Sequence, residues 1–238
     1  MAVYSFDGND LKLILHGSVE LLEQSREHID SLNVFPVPDG DTGSNMYQTL
    51  TAALEEALLL ETDHIGMVAE AAARGALAGA RGNSGVILSQ ILQGFAQTIS
   101  TKETATASDF AAALDNGSQM AYRAVMSPVE GTILTVVKKS AEGAASRRSV
   151  DLLRIMAAAF KSAFTALEKT PDQLPELKKA GVVDAGGQGF VTILEGARRA
   201  DEELVQLWLA NNESVRTSSA ILDSFYYANN AGIVGALY

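Results

Sequence analysis

Apolar residues that recur every three or four positions constrain this chain more than any other feature. In the first such segment, charged side chains separate the apolar ones, which are Leu11, Ile14, Leu15, Val19 and Leu22. The same spacing returns in later segments, and none shows the convincing apolar–polar alternation of a half-buried β-strand. The sequence therefore predicts an all-α protein of roughly eight helices, with no convincing strand.

Glycine, proline and polar clusters interrupt this periodicity and give approximate helix limits. The first helix is expected to end near Leu32, and the second to open just after Gly43. Asp109 is the expected cap of a later helix, and one short helical turn is expected at residues 175–180. Because the connections are short, neighbouring helices are expected to be antiparallel. The remaining helices are expected at residues 64–80, 86–95, 109–126, 133–145, 150–168 and 190–209.

The bulk composition allows one large domain with a substantial core. The chain has 238 residues, of which 47% are hydrophobic, and residues 1–210 are expected to form a single domain. From residue 211 to residue 238 the sequence becomes polar, then aromatic and small. We expect a C-terminal tail or an extra helix there.

Charge and cysteine content exclude several classes of protein. The formal charge is −11 and no stripe of Lys or Arg stands out, so a nucleic acid is not an expected partner. The absence of cysteine excludes disulfide scaffolds, thiol nucleophiles and cysteine-based zinc sites. No apolar run reaches transmembrane length and the first residues do not resemble a signal peptide. A cytoplasmic protein without a transmembrane segment is therefore expected.

The sequence VFPVPDGDTGSNM, at residues 34–46, places two carboxylates on either side of one glycine. Asp39 and Asp41 can converge on one cation in a turn, and the prolines of this stretch restrict its backbone. Two carboxylate oxygens suit Mg²⁺, which leaves its other positions to water and phosphate oxygens. The alternative is a solvated Pro-Asp-Gly turn, because Asp and Gly are common in turns.

Four glycine-rich stretches each precede or open a helix: GDTGSNM, GARGNSGV, VEGTIL and VVDAGGQGF. A helix N-terminus attracts anions, and glycine permits a close approach of the backbone to a ligand. Each stretch alone is also compatible with a plain helix cap, but loops of one parity collect at one end of an up-and-down bundle. The candidate cofactor-binding residues in these four stretches are Thr42, Gly43, Ser44, Asn45, Asn83, Ser84, Gly85, Thr132, Asp184, Gly186 and Gly187.

The common nucleotide-binding and catalytic motifs are missing. The chain contains no Gly-Lys pair, so it has no P-loop, and no Gly-x-Gly-x-x-Gly follows a strand. The three histidines are scattered, which makes a zinc site improbable. A nucleotide bound to this acidic chain would therefore need a local cation.

Four longer blocks together resemble the kinase domain of bacterial fatty acid kinase, which belongs to the DhaL family named after dihydroxyacetone kinase. They are DSLNVFPVPDGDTGSNM, GALAGARGNSGVILSQILQGFA, AVMSPVEGTILTVVKKSAEGA and TPDQLPELKKAGVVDAGGQGF. The resemblance covers about residues 8–200, and the blocks occur in the order of the family. It implies an eight-helix antiparallel up-and-down barrel that binds Mg-ATP across the loops at one end.

The resemblance also implies roles for particular residues. Asp39 and Asp41 match the catalytic carboxylates that hold one or two Mg²⁺ ions, and Asn33 stands where the dihydroxyacetone branch has a third carboxylate. Arg81 is expected either to reach the γ-phosphate or to pair with an acid. The other candidates match loop positions near ATP or ADP; they are Thr42, Asn45, Asn83, Ser84, Gly85, Thr132, Asp184, Gly186 and Gly187.

The implied reaction is phosphoryl transfer from ATP to the carboxylate of a fatty acid, which gives an acyl phosphate without a covalent enzyme intermediate. A separate fatty-acid-binding carrier protein would present the acyl substrate. One alternative is a dihydroxyacetone-type kinase subunit with tightly bound ADP, against which Asn33 argues. Another is a non-catalytic module that binds nucleotide or lipid. The sequence leaves open whether the chain forms a homodimer.

Overall fold

The computed structural model describes the backbone of residues 2–211 and the side chains of residues 2–200. This part of the chain is mostly helical, as predicted. The residues up to Asp201 form one compact unit. The predicted domain boundary at residue 210 stays a prediction, and residues 212–238 lie outside the described part. The elements are β1 (Ser5–Phe6), α1 (Gly8–Ser31), α2 (Thr42–Leu58), α3 (Ile65–Gly79), α4 (Gly82–Ile99), β2 (Ala105–Thr106), α5 (Ala107–Ala124), α6 (Ile133–Ser146), α7 (Leu152–Glu168), α8 (Thr170–Gln173), α9 (Pro175–Ala180) and α10 (Ala185–Asn211).

Two short strands correct the expectation of a chain without β-structure. β1 and β2 pair antiparallel, with Ser5 opposite Thr106 and Phe6 opposite Ala105. Each strand is only two residues long, which is too short for an alternating pattern to appear in the sequence. The pair ties the segment before α1 to the segment before α5.

The cap of α5 differs from the predicted one. Thr106 occupies the N-cap position, and Asp109 is the third residue of the helix. The Asp109 carboxylate accepts the Thr106 backbone N–H at 2.9 Å, and the Thr106 hydroxyl accepts the Asp109 N–H at 3.3 Å. The cap of α5 is therefore Thr106, three residues before the predicted cap Asp109.

Consecutive helices from α1 to α7 pack against one another, which is typical of helices joined by short connections. Small residues on α3 allow α2 to approach closely, as its alanine- and glycine-rich sequence indicates. A Cβ atom at Gly75 would clash with the carbonyl oxygen of Ala52, and one at Gly79 would clash with the Ala52 methyl group. The largest side chains with no exposure come from several helices and form one core, among them Leu22, Ile29, Met46, Leu50, Ile65 and Leu88.

The last helix begins at Ala185, five residues before the predicted start. The glycines that suggested a loop lie inside the helix, where they pack closely: a Cβ at Gly189 would lie 2.5 Å from the Met46 sulfur. α10 also contacts α1, because the Ser18 hydroxyl donates to the Ile193 carbonyl at 3.0 Å. A contact between first and last helix is what a barrel requires, and the closed barrel itself stays a prediction.

None of the helices within residues 2–211 combines the length and the apolar character that crossing a membrane requires.

Candidate functional site

A cleft of about 470 Å³ opens where the four glycine-rich stretches meet. Its walls come from the α1–α2 connection, the start of α4, the α5–α6 connection and the start of α10. The structure thus brings together segments that are far apart in the sequence. Nine of the predicted site residues line the cleft: Asn33, Asp39, Asp41, Thr42, Asn83, Ser84, Thr132, Asp184 and Gly186.

The first wall carries the two carboxylates that flank Gly40. Asp39 is exposed and Asp41 half-buried, and Gly40 between them adopts a left-handed conformation with φ of 66°. Asp41 occupies the N-cap position of α2, yet its side chain makes no capping hydrogen bond. The Asp41 carboxylate is therefore not used to cap the helix that it precedes.

Asn33 lies behind these carboxylates and is buried. Its side-chain nitrogen donates to Oδ1 of Asp39 at 2.6 Å, so in this arrangement the amide supports Asp39 instead of presenting its oxygen to a cation. Residues 2–200 contain no cluster of three or more acidic, histidine or cysteine side chains that could enclose a metal. Two carboxylates on one loop nevertheless fit Mg²⁺, which is commonly held by one or two carboxylates and completed by water and phosphate oxygens.

The start of α4 forms the second wall. Gly82 has φ of 58° and packs directly on the Asn45 side chain, with which a Cβ would clash. Asn83 and Ser84 follow it and line the cleft, and the residue at the N-cap position, Arg81, makes no side-chain cap hydrogen bond. The first turn of α4 therefore offers backbone N–H groups and two polar side chains to the cleft.

Arg81 is exposed, and its backbone N–H donates to the Thr49 hydroxyl at 3.3 Å. Across residues 2–200, none of the ion pairs or side-chain hydrogen bonds involves its guanidinium group. The expected alternative of a pairing with an acid is thus not found among the described side chains.

Several predicted site residues do not line the cleft, and each faces a neighbouring helix instead. Gly43 packs on the Arg26 carbonyl, Gly85 on the Thr49 hydroxyl and Gly187 on Val136. The remaining two contact other side chains or backbone, since Ser44 hydrogen-bonds to Asp30 and Asn45 touches Gly82. Their assignment to nucleotide binding stays a prediction; the contacts seen are those of packing and capping.

The third wall is the connection between α5 and α6. Thr132 is the N-cap residue of α6, but its hydroxyl donates to the Val129 carbonyl at 2.7 Å and does not cap the helix. Thr135, inside the helix, forms hydrogen bonds to the two residues that precede Thr132. Its hydroxyl accepts the Gly131 N–H at 2.9 Å and donates to Glu130 at 2.6 Å. This bonding holds Gly131 in its left-handed conformation, with φ of 81°.

Glu130 joins this connection to α5 as well, since the Tyr122 hydroxyl donates to its carboxylate at 3.1 Å. Burial first, and the neighbouring Glu130 charge second, raise the pKa of Tyr122 to about 12. Tyr122 therefore acts as a hydrogen-bond donor throughout the physiological pH range. Nothing in the local sequence marks Glu130, Thr135 or Tyr122, because their partners become neighbours only after α5 and α6 pack.

The fourth wall is the start of α10, where Asp184 is buried. Its carboxylate accepts the Gly187 N–H at 2.7 Å and a backbone hydrogen bond from Ile133 at the start of α6. Burial raises the pKa of Asp184 to about 6, although both hydrogen bonds oppose that rise. The carboxylate therefore joins the N-terminal turns of two helices and takes up part of their hydrogen-bonding capacity.

The electrostatics of the cleft are one-sided. Its lining includes Asp39, Asp41 and Asp184, while no Lys or Arg among the described residues belongs to the lining. Because the lining itself offers no cationic side chain, a polyanion bound here needs a cation together with helix N-terminal N–H groups. Four apolar side chains of the lining are exposed and form an apolar rim beside the exposed polar residues Asp39, Asn83 and Ser127; they are Val37, Val86, Met126 and Val129.

Known proteins resemble this chain over most of its length. Protein YloV of Bacillus subtilis (strain 168) is 46% identical over 198 residues, which cover 82% of this chain and 36% of that protein. An uncharacterized protein of Staphylococcus saprophyticus is 43% identical over 191 residues, which cover 79% of this chain and 34% of the relative. The chain therefore spans about a third of the length of these relatives.

A solved structure and a family model also match most of this chain. The native form of the dihydroxyacetone kinase of C. freundii superposes with a TM-score of 0.56 at 19% identity, over 84% of this chain and 36% of that one. This likeness shows a shared all-α fold. The DAK2 domain model matches residues 36–199, and the chain therefore belongs to the DAK2 domain family.

Proposed function

We propose that this chain is a kinase domain that binds ATP with Mg²⁺ and transfers the γ-phosphoryl group to the carboxylate of a fatty acid. The observation that carries the proposal is the meeting of Asp39 and Asp41 with three other glycine-rich helix starts around one cleft. Membership of the DAK2 domain family supports a kinase-like, nucleotide-binding role. A cytoplasmic location, where ATP is available, belongs to the same proposal.

Asp39 and Asp41 would hold the cation, with Asn33 keeping Asp39 in place through the hydrogen bond from its side-chain nitrogen. Mg²⁺, when bound, supplies the positive charge that neutralises phosphate oxygens and that the cleft lining lacks. The N–H groups and side chains of Asn83 and Ser84, which line the cleft, would donate to the same anion. Arg81, on the edge of this wall, is the side chain that we assign to the γ-phosphate.

Phosphoryl transfer depends mainly on positioning and on neutralising charge. In the proposed step, a carboxylate oxygen of the fatty acid forms a bond to the γ-phosphorus while the bond between that phosphorus and the β–γ bridging oxygen breaks. ADP leaves with the electron pair, and the product is an acyl phosphate. Because a carboxylate is already a nucleophile, no protein nucleophile and no phosphorylated enzyme are required.

The apolar rim supports a substrate with an apolar portion, because exposed Val37, Val86 and Met126 share the lining of the cleft with its acidic side chains. A free fatty acid is poorly soluble, so we propose that a separate fatty-acid-binding protein presents the acyl chain at this rim. The carboxylate would then reach the phosphate while its chain remained with the carrier.

The test is ATP-dependent formation of acyl phosphate by the purified chain, with a carrier-bound fatty acid as substrate and hydroxylamine to trap the product. We expect Mg-dependent turnover by the parent and loss of turnover in Asp41→Asn. Asp63→Asn serves as the matched control, because Asp63 is an exposed carboxylate outside the cleft lining. Equal turnover by the Asp41 variant and the parent would overturn the assignment of the metal site.

One observation favours a second candidate function, a nucleotide-binding module that needs further partners for catalysis. The chain spans about a third of the relatives that it matches. Binding of Mg-ATP without any transfer to the carrier-bound fatty acid would favour this module. Tightly bound ADP in the purified protein, with phosphate transfer from a phosphorylated carrier protein, would instead indicate the dihydroxyacetone-type subunit.

A further inference from the structure

The first turn of α2 is capped from outside by a residue of α1. Asp30, in the last turn of α1, accepts the Ser44 backbone N–H through Oδ1 at 3.0 Å and the Ser44 hydroxyl through Oδ2 at 2.7 Å. Ser44 is the third residue of α2, and its N–H is one of the groups that an N-cap side chain ordinarily accepts. The Asp30 carboxylate, fourteen residues before Ser44 in the sequence, thus caps α2 in place of an N-cap residue.

Asp41, the residue at the N-cap position of α2, plays no part in this capping. Asp41 makes no side-chain cap hydrogen bond, although aspartate is among the preferred N-cap residues. With the Ser44 N–H already bonded to Asp30, the Asp41 carboxylate is part of the cleft lining. Without Asp30, the first turn of α2 would lose its cap, and the Asp41 carboxylate at the start of that turn would no longer be held at the cleft.

Gly43 makes the outside cap geometrically feasible. A Cβ at Gly43 would clash with the Arg26 carbonyl, would lie 3.0 Å from the Ile29 Cβ and would lie 3.1 Å from Oδ1 of Asp30. Only a residue without a side chain lets the first turn of α2 lie this close to the last turn of α1. The close approach then brings Asp30 within hydrogen-bonding distance of Ser44.

Asp30 also forms a hydrogen bond to the other end of the α1–α2 connection, at Asn33. Its carbonyl oxygen accepts the Asn33 N–H at 3.2 Å, and the Asn33 side chain in turn donates to Asp39. The residue therefore contacts the loop where it leaves α1 and where it enters α2. Both carboxylates of the proposed cation site lie between these two attachments.

We propose that Asp30 is a positioning residue that caps α2 in place of Asp41 and so leaves the Asp41 carboxylate available to a divalent cation. The cation part of this inference rests on the proposed function; the capping part does not. Asp30 does not line the cleft, so we assign it no direct contact with the cation or with ATP.

The capping part is tested without any ligand, by amide hydrogen exchange of Ser44 followed by NMR. Loss of an N-cap corresponds to roughly tenfold faster exchange when local opening governs the rate, and we expect that increase in Asp30→Ala. Asp30→Asn should retain nearly the parent rate, because asparagine caps helices about as well as aspartate. Asp41→Asn should also leave Ser44 exchange unchanged, since Asp41 does not cap the helix.

The cation part is tested by titrating Mg²⁺ at saturating ATP with the same variants. We expect Asp30→Ala to raise the apparent Kd for Mg²⁺ by roughly tenfold, because the uncapped first turn of α2 no longer holds the Asp41 carboxylate at the cleft. Asp30→Asn should restore the Kd to within about threefold of the parent. A rescue by asparagine separates capping from a charge effect. Without Mg²⁺, ATP should bind to none of the three proteins.

Three results would overturn the inference. The first is unchanged Ser44 exchange in Asp30→Ala, and the second is a loss of Mg²⁺ affinity in Asp30→Asn as large as that in Asp30→Ala. The third is faster Ser44 exchange in Asp41→Asn. If Asp30→Ala does not fold, Ser44→Ala removes only the hydroxyl contact and should raise the Kd for Mg²⁺ by about threefold; no change there also counts against the inference.

Failure of the proposed function gives a different pattern of results. If the parent does not bind Mg-ATP, that function and the cation part of this inference both fall. The exchange rates of Ser44 then decide the capping part alone.

Discussion

Replacing Asp184 by asparagine removes a carboxyl group that the fold holds away from water. Asp184 is 5% exposed, and burial raises its pKa from 3.8 to about 6 in spite of hydrogen bonds from Gly187 and Ile133. The shift of about two pKa units corresponds to about 3 kcal/mol between the protonated and ionised forms. Ionised Asp184 therefore lowers the free energy of unfolding of the parent by about that amount.

The direction of the pH dependence follows from proton binding. Between about pH 4 and pH 6 the folded state keeps the Asp184 proton while the unfolded state has released it. The stability that protonated Asp184 contributes to the folded state is fully present below pH 4, and it is lost as the pH rises through the pKa of about 6. The parent should thus lose about 3 kcal/mol from this group across that interval, and Asp184→Asn should not.

Urea unfolding followed by far-UV circular dichroism, repeated from pH 4 to pH 7.5, measures this effect. The free energy of unfolding of Asp184→Asn minus that of the parent should rise by about 3 kcal/mol across the interval and level off near pH 7. Asp63→Asn, which removes an exposed charge, is the control for the change of one formal charge. A difference that stays constant or falls with rising pH would refute the reasoning, because the helix N–H groups would then outweigh burial.

Two further substitutions test the close contacts around the cleft. Gly43→Ala should destabilise the protein by about 1–2 kcal/mol in urea unfolding, since the clash with the Arg26 backbone carbonyl outweighs the helix propensity gained from alanine; equal or greater stability would contradict the packing of α1 on α2. Thr135→Val should cost about 1–3 kcal/mol, because it leaves the N–H of buried Gly131 without its hydroxyl partner at nearly unchanged volume. An unchanged unfolding midpoint for this variant would show that the Gly131 N–H finds another partner.

Most of the helices could be predicted because their amphipathic faces repeat with the helical period. The short helix α9 occurs at the residues where the turn was predicted, Pro175–Ala180. The start of α10 could not be predicted, because Gly186, Gly187 and Gly189 read locally as a loop. Their place inside the helix depends on close contacts with α6 and with Met46, which the local sequence does not reveal.

The candidate site shows a similar division between local and tertiary information. Asp39 and Asp41 could be singled out because proline, glycine and acidic residues lie within a few positions of one another. Asp30 could not, since its partner Ser44 lies fourteen residues away and nothing in the α1 sequence marks this acid among the others on the helix. Glu130 and Thr135 were missed for the same reason: their bonding to Tyr122 and Gly131 exists only once α5 and α6 have packed.

In the proposed function, Asp39 and Asp41 bring a nucleotide to the cleft through a divalent cation. The decisive measurement is isothermal titration of ATP into the parent and into Asp41→Ala, each with Mg²⁺ and with a chelator. We expect binding only by the parent and only with Mg²⁺, while the far-UV spectrum of the variant remains helical. Equal binding of Mg-ATP by the two proteins, or equal binding by the parent with and without Mg²⁺, would rule out this role of the two carboxylates.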